Sequence, residues 1–319
     1  MNGRGHVAVG SEAEPVSIRL LGGFRVAMGA RAIEKEAWRL RKAAALIKLL
    51  ALAPGHRLHR EQVMDLLWPD LVKKAASNNL RNSLHAARTI LDPVARSRYV
   101  ASEEDSLVLC PEGQLRVDVD AFEEATVGAR RTRDPAAYRA TLNPYAGELL
   151  PDDRYEVWAE GRREELRHTW ISLHVELARV YEERGEYEKG IAVLQRAVLE
   201  EPTNEEMHAG LMRLYAFSNR RGEALAQHER LREALSGRLN AEVGVSTQRL
   251  REEIAAGRLL AAQPTVALTE EPSDTGKHNL PASRTSFMGR EHEMMEIKRE
   301  LAMTRLLTLT GAGGRARPA

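Results

Sequence analysis

Polar side chains able to pair with DNA bases are spaced along one predicted helix. Leu80, Leu84, Ala87 and Leu91 follow one another at intervals of three and four residues, which predicts a helix over residues 75–91 with this stripe buried. Asparagine pairs with adenine and arginine with guanine in the major groove. The candidate base-reading residues, all off the apolar stripe, are Asn79, Arg81, Asn82, His85 and Thr89.

Basic residues surround this helix and are suited to phosphates. Residues 31–98 hold 14 Lys and Arg against 6 Asp and Glu, a net charge of +8, whereas residues 113–260 carry −5. The formal charge of +1 for the whole chain therefore conceals a basic N-terminal block, which is typical of proteins that bind the phosphate backbone. The candidate phosphate contacts are Arg57, Arg60, Lys73, Lys74, Arg88 and Arg98.

The elements around the helix predict a winged helix-turn-helix. Residues 16–26 read as two strands around Gly22–Gly23, and residues 40–53 and 60–67 as two helices, the second burying Val63, Leu66 and Leu67. Residues 98–110 alternate as a hairpin, the wing, with Glu103, Glu104 and Asp105 at its tip. Phosphates would repel that tip, so we do not expect it to enter the minor groove deeply.

Other chemistries find little support. His56 and His59 have a metal-ligand spacing without a third ligand, and we expect both in the exposed turn before the second helix. Cys110, the one cysteine, is expected to be a buried, inert thiol. The first 280 residues contain no catalytic grouping, so we expect no enzyme, metal or cofactor. Without a long apolar segment or signal peptide, a cytoplasmic protein with no membrane partner is expected.

The second half of the chain contains a repeat of 34 residues, the period of tetratricopeptide units. Gly185 and Asn219 are predicted to occupy its inter-helix turns. We expect the repeated large residues to be buried and the repeated alanines to let paired helices approach closely. The matched positions are Leu177, Tyr181 and Ala192 in the first unit and Leu211, Tyr215 and Ala226 in the second.

Several segments, in this order, resemble the antibiotic regulatory proteins of the SARP type, which join an OmpR-like winged helix to a bacterial transcriptional activation domain. The likeness spans about residues 16–257 and is carried by Ile18–Gly22, Leu46–Leu50, Leu58–Trp68, Asn79–Leu91, Val117–Phe122, Tyr145–Pro151 and Trp158. It implies binding to direct repeats near promoters and recruitment of RNA polymerase. His59 stands where the family usually has a serine-type cap, so a weaker helix start is expected.

The last residues resemble the start of the NB-ARC-like domain of larger family members. Gly311–Gly314 follow an apolar strand, but the chain continues as Arg315-Ala316 without the Lys-Ser/Thr of a P-loop and without a following helix. We therefore expect residues 286–319 to be a truncated start of that domain that does not bind nucleotide.

The predicted fold is mainly α, an N-terminal α+β winged helix-turn-helix followed by a tetratricopeptide-like helical domain. The expected divisions are 1–15 disordered, 16–112 DNA-binding, 113–257 helical, 258–285 linker and 286–319 truncated. The predicted function is a sequence-specific transcriptional activator that binds double-stranded DNA, with RNA polymerase as a partner and possible dimers on DNA. The alternative is a helical-repeat adaptor without specific DNA binding.

Overall fold

The computed structural model describes residues 14–93, 98–111 and 113–259 and begins with a four-stranded sheet. Strands β1 (Val16–Arg19) and β2 (Arg25–Met28) pair antiparallel, which confirms the predicted hairpin. β3 (Arg31–Ile33) extends β2, and β7 (Leu115–Val117) lies parallel to β1 on the other side. The order is β3-β2-β1-β7, so a strand from beyond residue 112 completes the N-terminal sheet.

Three helices and a second sheet follow, and they confirm the winged helix-turn-helix. The helices are α1 (Arg41–Leu52), α2 (Arg60–Leu67) and α3 (Lys73–Leu91), and α1 packs on both of the others. The wing consists of β5 (Val100–Glu103) and β6 (Ser106–Leu109), and the short β4 (Arg57–His59) pairs with β6.

One residue of α2 lies differently from its prediction. Leu66 is 42% exposed, whereas Met64 is buried beside Val63 and Leu67. The helix is only eight residues long, so its own periodicity defines its buried side poorly. The positions of α1 and α3, which pack on it, decide which residues are buried.

The second half is helical, and its long helices stack in sequence order. Each helix from α6 to α10 packs on the next one along the chain, as expected of a tetratricopeptide-like array. The helices are α4 (Asp118–Thr132), α5 (Pro135–Leu142), α6 (Glu160–Glu183), α7 (Tyr187–Glu200), α8 (Glu205–Phe217), α9 (Arg221–Leu239) and α10 (Val245–Ala255).

The 34-residue repeat has a structural counterpart, but its small positions differ from the prediction. The four large residues, Leu177, Tyr181, Leu211 and Tyr215, are buried, and Gly185 and Asn219 both have positive φ where α6 and α8 end. The prediction that the repeated alanines lie between paired helices is wrong, because Ala192 and Ala226 are both exposed. They recur in register but on the outer face of their helices.

Two other residues occupy the helix contacts that the alanines were expected to fill. Gly190 and Ala224, also 34 residues apart, are buried near the starts of α7 and α9. A Cβ added to Gly190 would lie 3.0 Å from Cδ1 of Leu214 and 3.4 Å from the carbonyl oxygen of Ala178. The close approach of α6, α7 and α8 therefore depends on glycine at this position.

The winged helix and the helical region are joined through backbone as well as side chains. The N–H groups of Leu20 and Leu21 donate to the Asp118 carboxylate at 2.9–3.0 Å, at the start of α4. The N–H of Leu150 donates to the carbonyl of Leu20 at 2.9 Å, and Leu21 forms a β-bridge with Leu149. One hydrophobic core extends from Val16 in β1 to Tyr181 in α6. The winged helix and the helical region therefore share one hydrophobic core.

Ion pairs reinforce the same junction. Lys48 of α1 lies 2.6 Å from Asp153, with both side chains largely buried, and its ammonium also lies 4.8 Å from the centre of the Phe24 ring. Two further lysines of the basic block, Lys35 and Lys42, pair with Asp152 and Glu156. Part of the N-terminal positive charge is therefore neutralised by the acidic region inside the same chain.

Predictions for the two ends of the chain lie outside the described residues. They concern the residues before Glu14, nearly all of the predicted 258–285 linker, and the predicted NB-ARC-like segment at 286–319 with its glycine-rich end. Within the described ranges, none of the helices combines the length and apolar character needed to cross a bilayer.

Replacing Gly190 with alanine should destabilise the protein, and Gly128 provides the matched control. Both are helical, but a Cβ at Gly128 meets no atom within 4 Å. Gly128→Ala should therefore gain about 0.5–1 kcal/mol from helix propensity. Gly190→Ala should lose about 1 kcal/mol, because the methyl group presses on Leu214. Urea unfolding of both variants tests this, and equal stabilisation by the two would contradict the packing described.

Breaking the buried ion pair should cost far more than breaking its exposed neighbour. Asp153→Asn leaves the Lys48 ammonium buried without a counter-charge and should lower the free energy of unfolding by about 3 kcal/mol. Asp152→Asn removes a partner from an exposed lysine, Lys35, whose side chain is 81% exposed, and should leave the midpoint almost unchanged. Thermal unfolding at pH 7 compares them. Similar midpoints for the two variants would show that the junction does not depend on Lys48.

Candidate nucleic-acid interface

The outer face of α3 is a continuous polar surface. Its inner side buries Ala76, Leu80, Leu84, Ala87 and Leu91 against the core, so the opposite side faces solvent. At about 100° per residue, six exposed residues share that side. They are Lys74, Asn78, Arg81, Asn82, His85 and Thr89. We call these six residues the α3 face.

Two neighbouring asparagines of α3 differ in their exposure to solvent. Asn78 is exposed near the middle of the α3 face, whereas Asn79 is half-buried about 100° further round the helix. Sequence reasoning selected Asn79 and missed Asn78. The sequence does contain the information needed to choose Asn78. A residue opposite the centre of the apolar stripe points outward, whereas a residue that merely lies beside the stripe can be partly buried.

Thr89 and Arg88 both make hydrogen bonds inside the protein. The Thr89 hydroxyl donates to the carbonyl of His85 at 2.9 Å. Arg88 Nε donates to the carbonyl of Val100 at 2.7 Å, and its Nη2 donates to Ser102 Oγ at 3.0 Å. Burial, and then the nearby positive charge of Arg60, lower the pKa of Arg88. Arg88 therefore ties α3 to β5 of the wing.

The remaining basic residues fall into two groups. Among the described residues, Lys74 and Arg81 form no ion pair, and Arg60 and Arg98, both half-buried, form none either. Arg57 pairs with Glu103 of the wing, and Lys73 pairs with Glu61 of α2. The hydrogen bond from Lys73 lowers the pKa of Glu61 and raises that of Lys73.

Lys73 and Lys74 lie in the first turn of α3 rather than before it. The helix begins after Val72, which provides no side-chain cap, and the first turn contains no acidic residue. Unpaired backbone N–H groups and the positive end of the helix dipole favour an anion here. Two lysines at the same place strengthen that preference, so this end of α3 is suited to a phosphate.

The wing tip is acidic and partly engaged. Asp105 accepts a backbone hydrogen bond from Arg60 at 2.7 Å, which ties the tip to the start of α2. Glu103 contacts Arg57, whereas Glu104 sits at the turn with a φ of 49°. The tip therefore adds negative charge beside the basic residues of β4 and α2.

The two histidines before α2 have structural partners. His59 caps α2: its Nδ1 accepts from the N–H of Glu61 at 3.3 Å, and Gln62 Oε1 accepts from the His59 N–H at 3.1 Å. The expected weak helix start is therefore replaced by a capping box. His56 is half-buried rather than exposed, with Nε2 3.3 Å from Asp120 of α4.

Neither a metal site nor a reactive thiol is found in the described part of the chain. No group of three or more His, Cys, Asp and Glu side chains there could hold a metal ion. Cys110 is buried, and desolvation raises the pKa of its thiol to about 12. The thiolate, which is the reactive form, is therefore disfavoured at neutral pH.

Comparisons with known proteins agree with this architecture. Residues 117–255 match the family model of the bacterial transcriptional activator domain. The fold is similar to that of Mycobacterium tuberculosis EmbR, solved in complex with a low affinity phosphopeptide, with a TM-score of 0.61 and 18% sequence identity. The match covers 76% of this chain and 65% of the EmbR chain, so this chain spans less than two thirds of the length of that protein chain. A search of curated proteins finds no match.

Proposed function

We propose that this chain, which carries a bacterial transcriptional activator domain over residues 117–255, is a DNA-binding transcriptional activator of the SARP type. The observation that carries the proposal is the exposed α3 face, a row of base-pairing side chains that includes Lys74 and Arg81, neither of which forms an ion pair with another described residue. A winged helix-turn-helix presents this face outward, and a helix of these dimensions fits the major groove.

Roles on the α3 face follow from position and chemistry. Arg81, Asn78, Asn82 and His85 extend from the exposed side of the helix, where they can reach base edges. Two other candidates lie further from this group. The half-buried Asn79 is displaced around the helix, and Thr89 lies further along it toward the C-terminus. We propose that the first four residues read sequence and that Asn79 and Thr89 contribute at the margin.

Phosphate contacts are proposed for the basic residues beside the face. Lys74 lies at the N-terminus of α3, and Lys74, Arg60 and Arg98 form no ion pair among the described residues. Lys73 and Arg57 would exchange Glu61 and Glu103 for phosphate when DNA binds. Arg88, which is bonded to the wing, would position α3 rather than bind phosphate itself.

The helical region is proposed to act on the transcription machinery. Its match to the activator-domain family supports recruitment of RNA polymerase, and stacked helical hairpins provide extended protein-binding surfaces. The core and the Lys48–Asp153 pair would transmit its position to the winged helix. We propose that two copies bind adjacent DNA sites, as direct repeats would require.

Two substitutions on the α3 face should separate base reading from phosphate binding. Using an operator selected from random duplexes, Arg81→Ala should relax the preference at one base pair, at a cost of about 1–3 kcal/mol for the preferred base. Lys74→Ala should weaken all sequences about equally and lower the slope of log K against log salt by about 1. Fluorescence anisotropy over a salt series measures both effects.

Arg238→Ala on α9 is the matched control, because this arginine is also exposed and forms no ion pair among the described residues. It should leave affinity and sequence preference unchanged. If binding to duplex DNA hardly varies with salt, the activator proposal is wrong and the helical-repeat adaptor is favoured. If Arg81→Ala lowers affinity uniformly for all sequences, the α3 face is not the base-reading surface.

Neutralising the carboxylates that hold Lys73 and Arg57 should strengthen DNA binding. In Glu61→Gln and Glu103→Gln, Lys73 and Arg57 no longer have to leave a carboxylate in order to bind phosphate. Each substitution also removes a negative charge that would repel DNA. We expect a rise in affinity of about two- to fivefold for each variant, larger at low salt. The exposed Glu233 of α9 supplies the control, Glu233→Gln, with no expected change. Unchanged or weaker binding by both variants would mean that these pairs lie away from the DNA.

A further inference from the structure

The outward face of the four-stranded N-terminal sheet is a second basic surface, on elements other than α3. Residues alternate along each strand, with Val16, Ile18, Val26 and Met28 buried. The other side carries three exposed arginines, Arg19 on β1, Arg25 on β2 and Arg116 on β7. The small residues Ser17, Ala27 and Ala32 lie between them, and we call these six residues the sheet face.

Strand register places the arginines close together. Arg19 lies directly opposite Arg25 in the antiparallel pair. Arg116 lies opposite Ser17 in the parallel pair, one step along the same face of β1. Directly opposed side chains have Cβ atoms about 5 Å apart, and like charges at that separation destabilise a sheet.

The chain does little to offset this repulsion. None of the strand residues on the sheet face is acidic, and among the described residues none of its three arginines forms an ion pair. Arg19 also has an electrostatic interaction with the half-buried Asp118. Like charges held together at a cost in stability, with no ion pair to the residues that the structure describes, are suited to an external anion.

The shape of the surface favours a protein over a nucleic acid. A four-stranded sheet face is too broad for the DNA major groove, which accepts a helix or a two-stranded ribbon. Single strands bind to aromatic platforms, and the sheet face has no aromatic ring. The proposed DNA-reading helix α3 packs mainly on α1, α2 and β5 rather than on these strands.

We infer that the sheet face is a docking surface for an acidic segment of a partner protein, recognised by Arg19, Arg25 and Arg116. Guanidinium groups bind carboxylates in a bidentate manner, and the small residues between them leave room for a peptide to lie flat. This inference goes beyond the proposed function and does not depend on it, because the partner would bind without DNA.

The test uses the full chain and a fluorescein-labelled octaglutamate peptide, first without DNA and then with an excess of a 20-bp duplex, which would occupy other basic surfaces. The variant is Arg25→Thr with Arg116→Thr, because threonine is favoured in exposed strands and Arg19 is left beside Asp118. The control is Arg238→Ala with Arg249→Ala, two exposed arginines on α9 and α10. We expect peptide affinity to fall about fivefold in the variant and to stay unchanged in the control.

Two further measurements make the outcome decisive. The thermal midpoint of the variant should equal or exceed that of the unmodified chain, since the Arg19–Arg25 repulsion is removed, so a loss of peptide binding cannot come from unfolding. Affinity for the duplex should be unchanged. Equal peptide binding by variant and control, complete displacement of the peptide by the duplex, or weaker duplex binding by the variant would each overturn the inference.

Discussion

The buried ion pair between Lys48 and Asp153 holds the two halves of this protein in one arrangement. Lys48 projects from α1, the helix that packs on α2 and α3, and Asp153 belongs to the segment that leads into α6. Two charges taken out of water are stabilised only while each has the other, so the pair permits little movement between these elements. The orientation of α3 is thereby tied to the helical region.

Backbone pairing makes the same junction rigid in another way. β7 joins the N-terminal sheet, and Leu149 and Leu150 pair with the segment after β1. In that same segment two backbone N–H groups donate to the carboxylate of Asp118 at the start of α4. Buried N–H groups need partners, so these contacts cannot be exchanged for water without cost. A movement of the helical region would thus be transmitted to the winged helix by these hydrogen-bonded elements.

Ion pairs within the chain explain how a protein of net charge +1 can present the proposed DNA-binding surface. Three lysines of the basic block are neutralised by Asp152, Asp153 and Glu156, and Arg57 and Lys73 by Glu103 and Glu61. In the part of the chain that the structure describes, the basic side chains without an ion pair include Lys74 and Arg81 on the α3 face and the three arginines of the sheet face. Counting by segment finds the excess of positive charge, but only the ion pairs show where it is available.

Much of the architecture follows from local sequence. Apolar periodicity and turn residues located α1, α2, α3 and the wing to within a few residues, because a stripe of apolar residues must be buried and Gly or Pro ends a helix. The 34-residue period likewise located the helical hairpins, and the order of motifs pointed to a winged helix joined to an activator domain.

Tertiary packing decided the positions that periodicity leaves open. Gly190 and Ala224 rather than Ala192 and Ala226 fill the helix contacts, and Leu66 stays exposed. Each depends on where a neighbouring helix lies, which no local pattern encodes. The pairing of β7 with β1, the burial of Lys48 and the gathering of Arg19, Arg25 and Arg116 on one face depend on contacts between residues far apart in the chain. The sequence by itself therefore determined which elements form and their overall charge, and the tertiary structure decided which side chains are free to bind.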